Sequence, residues 1–198
     1  MELNNRKENY KKEWRKKMNV TIGPRGVLEI TDARLIFKNF RGLQTDFNDE
    51  GDRNFCVLIS GGIFDDGRDV YELDAEGMAD ALKAQENRFG IGWNVKVKVP
   101  KNPDSSPYHF LKVKVNFNDR GPRVYVRTSE RARPRMLDEE TVGMLDRIDI
   151  LSTDLTIRPF DGEARMGAYR SAYLQSIDVL QDIDHIAARY AAEEYPED

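Results

Sequence analysis

Trp93-Asn94-Val95-Lys96-Val97-Lys98-Val99, Phe110-Leu111-Lys112-Val113-Lys114-Val115-Asn116-Phe117 and Arg123-Val124-Tyr125-Val126-Arg127 alternate apolar with polar residues at a period of two. That period is the mark of a strand with one buried face. Val95, Val97, Val99, Leu111, Val113, Val115, Phe117, Val124 and Val126 are expected to point inward. Lys96, Lys98, Lys112, Lys114, Asn116, Arg123, Tyr125 and Arg127 then point outward, with Tyr108 and Phe110 in the same phase. A solvated face ordinarily mixes both signs of charge, whereas this one holds cations, an amide and rings. Such a surface suits a chain of phosphates.

The surrounding charge sharpens that reading. Residues 88–136 carry twelve Lys and Arg against Asp104, Asp119 and Glu130, a net of +9. The whole chain is at −4, which leaves −13 for the remainder. A strongly basic middle in an acidic protein is an electrostatic footprint for nucleic acid. The 198 residues are enough for one domain with a sizeable core, with or without tails. Charged residues make up 33% and no apolar run could span a bilayer, so no membrane partner is expected. The basic N-terminus has no apolar stretch behind it and does not read as a secretory signal. Cys56 is the single cysteine. It can form no internal disulfide, and a reducing, cytoplasmic setting is the default.

Outward from the basic centre, residues 1–18 form a cationic arm in which Tyr10, Trp14 and Met18 recur every four residues. The arm reads either as a helix with a narrow apolar stripe or as a solvated terminus. Gly26 to Phe40 is long for a strand, and its apolar phase slips between Ile30 and Leu35. A bulge or bend accounts for the slip, and a long bent first strand is what a small barrel needs at its corner. Phe55 to Ile59 is a continuous apolar run, expected as a strand covered on both faces. A short hairpin is expected around Asp66-Gly67, and an amphipathic helix within 75–87. Asn118-Asp119-Arg120-Gly121-Pro122 reads as a hairpin turn between the second and third basic segments. Leu137 to Thr141 reads as a helix start with acids in its first turn. Ile148–Ile157 and Ala168–Leu180 read as strands joined across Asp161-Gly162, and 182–192 as a helix before an acidic end.

Catalytic patterns are missing. Two histidines and one cysteine match neither a zinc site nor a Cys-His nucleophile pair, and no phosphate-binding glycine motif has its strand–helix context. The loop Asp46–Val57 has valine where a calcium loop needs its twelfth-position glutamate. Acidic clusters at Asp65, Asp66, Asp69 and at Asp138, Glu139, Glu140 suit solvated loops and a helix dipole better than convergence on Mg²⁺. Neither a metal nor a cofactor is expected. Lysine alternating with valine also protects ordinary edge strands, but three segments of one sign with interleaved rings favour binding. Stacking on such rings contributes about 1–3 kcal/mol per unpaired base. Trp93 shares the phase of Val95 and is assigned to the core or the barrel rim.

Asn19–Gly42 (NVTIGPRGVLEITDARLIFKNFRG), Gly51–Phe55, Gly92–Lys98, Leu111–Val126 (LKVKVNFNDRGPRVYV), Leu137–Phe160 and Ala172–Val179 resemble phage-encoded single-stranded-DNA-binding proteins with an OB-type barrel. The resemblance implies a mainly β fold, an OB-like barrel of five to seven strands with one or two short helices and charged tails. With the basic arm read at 1–18, it places a binding domain at 19–180 and an acidic tail at 181–198. The implied function is sequence-tolerant, non-catalytic coating of single-stranded DNA in phage replication and recombination. Replication or recombination proteins are implied as partners of the acidic tail. On matching positions, Lys96, Lys98, Lys112, Lys114, Arg120, Arg123 and Arg127 are expected on phosphates, and Tyr108, Phe110 and Tyr125 against bases. Residues 60–90 are longer than the family pattern, and the tail continues past Tyr195 instead of ending on an aromatic residue. The rival readings are a metal-dependent nuclease or recombination enzyme, and an RNA-binding or protein-interaction module. Oligomeric state is left open.

Overall fold

The computed structural model describes residues 18–60, 62–65, 70–73, 77–101 and 106–183. The arm up to Lys17, the turn at Asp66-Gly67, and the tail with its expected helix from Asp184 onward lie outside the described residues.

The bent strand sets the architecture. A short strand β1 (Asn19–Ile22) pairs antiparallel with β2 (Leu28–Thr31), and after three residues the chain resumes as β3 (Leu35–Asn39). β2 pairs with β11 (Ile150–Ala164), while β3 pairs with β4 (Asn54–Ser60). The phase slip seen in the sequence is this corner. Asp32 takes φ 53 there. Its N–H donates to Asp154 Oδ1 at 2.9 Å, and Ala33 N–H donates to the Thr153 carbonyl at 2.7 Å. Arg34 C=O then accepts from Leu58 N–H at 3.0 Å, so the bend passes the backbone from one strand partner to the next. Backbone groups that leave one ladder at the turn thereby find partners on another.

From β4 the sheet continues to β8 (Tyr108–Lys114), then β12 (Gly167–Gln181), then β11 and back to β2. Counting the bent pair as one, five strands carry this circuit. The hydrogen-bonded order is not closed edge to edge, yet β2, one strand in from one end, and β3, at the other end, are two halves of one strand, so the sheet curls over its main core. β4 is buried along all seven residues, as its apolar run required. Phe40 stacks on Phe55 at 5.0 Å between ring centroids. Leu28, Val57, Val113, Val124, Ile157 and Val179 are fully buried beside them.

Smaller elements attach to this frame. β5 (Gly62–Asp65) and β6 (Val70–Leu73) form the expected hairpin. The single described α-helix, α1 (Met78–Ala84), buries Ala79 and Leu82. Gly92 passes so close to it that a Cβ there would lie 1.7 Å from the Lys83 carbonyl oxygen. β7 (Val95–Lys98) pairs with β8, and β10 (Arg135–Leu137) pairs with β9 (Arg123–Arg127).

Four local expectations are corrected. β8 and β9 are not a hairpin: both run parallel to β12, at Ala172–Tyr173 and Ser176–Leu180 respectively. The turn at Asn118–Gly121 does form, with Gly121 N–H donating to Asn118 C=O at 2.6 Å, but β12 supplies the partner edge instead of β8. Asp161-Gly162 lies within the β11–β12 ladder, and the reversal falls at Arg165-Met166 before Gly167 at φ 115. Leu137–Thr141 opens no α-helix; β10 ends at Leu137 and a 3-10 turn spans Val142–Asp146. Val97 and Val99 are 56% and 70% exposed, since β7 is paired on one edge only and its end runs past the core.

Candidate nucleic-acid interface

Residues paired across adjacent strands share a face of the sheet, so the register identifies what stands on the outside. Lys96 is aligned with Phe110, Lys98 with Tyr108, and Lys112 with Cys56. Lys114 is aligned with Tyr173 on β12, and Tyr173 with Arg158 on β11. Arg123, Tyr125 and Arg127 are aligned with Ser176, Asp178 and Leu180. A β-bulge between Leu174 and Ser176 keeps Tyr173 and Arg123 on one side of β12. The basic segments therefore do share an outer face, with the second and third lying one after the other along the edge of β12 that β11 leaves free.

At one end of that face Phe37 meets Phe110 edge-on at 6.0 Å, and Lys98 Nζ lies 4.8 Å from the Phe37 ring centroid. Phe37 is 51% exposed and holds φ 51 at the irregularity between Ile36 and Asn39. In the middle, Lys112 Nζ donates to Asn48 Oδ1 at 2.7 Å, which also accepts from Asn54 Nδ2 at 2.8 Å. The 41–52 loop thus leans on the lysine row, with Phe47 exposed on that loop. At the other end Tyr173 has Lys114 Nζ at 5.8 Å and Arg158 Cζ at 5.5 Å from its ring. Phe160 meets Tyr173 at 5.9 Å and Tyr169 at 6.3 Å. Cations over ring faces are stabilising by about 0.5–1 kcal/mol where exposed. They also hold rings and charges side by side.

Not every expected residue stands free on this surface. Tyr108 is only 5% exposed and packs with Leu58, Ile36 and Phe110, so it presents no open ring face. Arg127 Nε donates to Asp178 Oδ1 at 2.8 Å and its Nη1 to the Glu130 carbonyl, which ties the guanidinium to the protein. Tyr125 is half-buried across from Met136 and Asp178. Lys96, Lys98, Lys114, Arg120 and Arg123 are exposed. Cys56 lies beneath the lysines, where burial pushes its thiol up to about 11 against the opposing pull of Lys112 and Lys96.

Phe37, Arg158, Phe160, Tyr169 and Tyr173 are the face residues that sequence reasoning missed. Arg158 with Phe160, and Tyr169 with Tyr173, lie in the outward phase of their strands. The misplaced turn at Asp161-Gly162 hid them. Phe37 left no periodic signal because it sits in the bulge.

The acidic cluster at 138–140 is engaged locally. Asp138 Oδ1 accepts from the Thr141 hydroxyl and from the Thr141 and Glu140 N–H groups, which holds its carboxyl below the usual range. Glu139 pairs with Arg53 at 2.8 Å. Among the described residues no three His, Cys, Asp or Glu side chains converge as metal ligands. None of the described helices is long and apolar enough to cross a membrane.

A sheet curled at one bent strand, with cations and rings interleaved on its outer face, defines an OB-like nucleic-acid-binding barrel. The chain matches the family model described as "Putative phage ssDNA-binding domain" over residues 19–68 and 75–197, and it belongs to that family. Among solved structures it is similar to the single-stranded DNA-binding protein from bacteriophage Enc34 in complex with ssDNA. That match has a TM-score of 0.52 and 14% identity, covering 86% of this chain and 94% of that one. A second structure of the single-stranded DNA-binding protein from bacteriophage Enc34 matches with a TM-score of 0.50 and 13% identity, over 86% of this chain and 89% of that one. No curated protein matches the chain.

Proposed function

We propose that the protein binds single-stranded DNA across the outer face of β7, β8, β12 and β11, coating it without cutting it during phage replication and recombination. The observation that carries the reading is the alternation of exposed cations with ring faces from Lys98–Phe37–Phe110 to Lys114–Tyr173–Arg158. Lysines neutralise phosphates without reading sequence, and rings accept any base because every base has a π-face. Lys96, Lys98, Lys112, Lys114, Arg120 and Arg123 serve phosphates in this reading, and Phe37, Phe110 and Tyr173 serve bases. Arg127 and Tyr108 act as supports. Residues 19–180 form the binding domain, and the acidic tail competes with DNA for the groove and recruits replication proteins.

Fluorescence polarisation with labelled oligo-dT tests the groove. Reversing Lys112 and Lys114 to Glu together is expected to weaken binding at least about tenfold at low salt. Undiminished affinity in that variant would place the DNA elsewhere. Incubating the same oligonucleotide with protein and Mg²⁺ or Mn²⁺ should leave it full length, and release of shorter products would overturn the non-catalytic reading.

A further inference from the structure

The turn at Asn118–Gly121 and the long β11–β12 hairpin border two adjoining open hollows that share Arg120 and Arg158 as walls. The larger, about 440 Å³, is bounded on one side by Phe160 and Tyr173 and on the other by Asn116, Asn118 and Asp119. The smaller, about 320 Å³, adds Arg123, Gly121 and Gln175. Both volumes fall in the roughly 300–1,000 Å³ range of ligand pockets. Among the described residues Arg120, Arg123 and Arg158 form no ion pair with a carboxylate.

Resting on the single-stranded-DNA reading, we propose that this double hollow captures one nucleotide of the bound strand and prefers a base bearing an exocyclic amino group. The base enters the larger hollow against Tyr173 and Phe160. Its flanking phosphates lie on Arg120, Arg123 and Arg158, whose planar forks grip phosphate bidentately. The polar wall selects the base. Asp119 carries an acceptor-only carboxylate, and the Asn116 and Asn118 amides offer both donor and acceptor atoms. Asn118 Oδ1 already accepts from Arg120 N–H at 3.0 Å, which leaves its NH2 group for the ligand. A carboxylate accepts from the N4 amino group of cytosine, and an asparagine amide pairs with the N6 and N7 edge of adenine. Thymine presents no amino group, and its one donor, N3–H, is recessed between two carbonyls that repel a carboxylate, so Asp119 pairs with it less well than with a projecting amino group. The lysine row remains indifferent to sequence, and the preference is confined to one position.

The test uses the full chain with oligo-dT, alone and carrying one central dC. The dC-containing strand is expected to bind about five- to tenfold more tightly, the scale of one base-edge contact set. In Asp119→Ala combined with Asn116→Ala, both on an exposed stretch, the two strands should become equal while oligo-dT still binds. A second strand with one central 5-iodo-dC is irradiated and its adduct mapped, with Tyr173 or Phe160 expected. Equal affinities in the unmodified protein, with adducts at Phe37 or Phe110 instead, would overturn the hollow and leave the lysine row standing. No binding of any strand would overturn both.

Discussion

Phe37 holds a left-handed backbone conformation, which costs a residue with a Cβ roughly 1–2 kcal/mol. Strain of this kind persists where the surrounding structure enforces it, and it clusters at ligand-contacting sites. Here it aims a ring at the outer face beside Lys98 and Phe110. Phe37→Gly relieves the strain but frees the unfolded chain and drops the ring contacts. Thermal stability should therefore change by no more than about 1 kcal/mol. DNA affinity should fall about tenfold, the loss of one stacking partner. Calorimetry and polarisation on the same variant separate the two, and a variant that binds normally would remove Phe37 from the interface. Only the alternating positions were readable at this scale. Lys96, Lys98, Lys112 and Lys114 follow from a period of two, whereas a bulged residue belongs to neither phase. The burial of Tyr108 was equally hidden, because its phase is outward and the neighbours Leu58 and Ile36 cover it from other strands.

The β11–β12 hairpin shows how an element takes its bounds from contacts that a local pattern does not contain. Asp161-Gly162 has the composition of a turn, yet Asp161 is paired with Arg170 across the ladder at 2.7 Å and 3.1 Å. Arg170 is 6% exposed, donates to the Gln85 carbonyl at 2.8 Å and lies over the Trp93 ring at 5.4 Å. Gln85 in turn accepts from Trp93 Nε1, so the hairpin is fastened to the end of α1. A Cβ at Gly162 would sit 2.6 Å from the end of the Tyr169 ring, so glycine lets that ring lie over the strand. The hydrogen bonds from Arg170 hold the Asp161 carboxyl below its ordinary 3.8 despite partial burial. With a depressed folded value, the pair's contribution is complete above that ordinary value and is lost as pH falls through the lower folded one. Asp161→Asn should melt about 3–6 °C lower than the parent at pH 7. The gap should narrow as pH falls below about 4. A gap that stays constant from pH 7 to pH 2.5 would remove the ion pair from the account.

For the whole molecule, charge separation matters more than net charge. Lys96, Lys98, Lys112, Lys114, Arg120, Arg123 and Arg158 stand along one face of a chain whose total is −4. If all seven meet phosphates, log affinity should fall with log salt at a slope of about −5, from roughly 0.7 per neutralised phosphate. The tail from Asp184 to Asp198 holds five acids and one arginine, and the barrel's last strand ends before it at Gln181. Removing 184–198 should tighten oligo-dT binding at low salt and leave melting unchanged. Unaltered affinity across a salt series would retire the competing tail. The sequence by itself determined that strands dominate, that one is bent near residue 32, and that the basic segments put lysine outward, since each is written in a period of two or in its interruption. Only the tertiary structure decided that β8 and β9 follow one another along one edge of β12, which brings Tyr173, Arg158 and Phe160 to the lysine row. Strand partnership is a contest among distant edges, and no local spacing records its outcome.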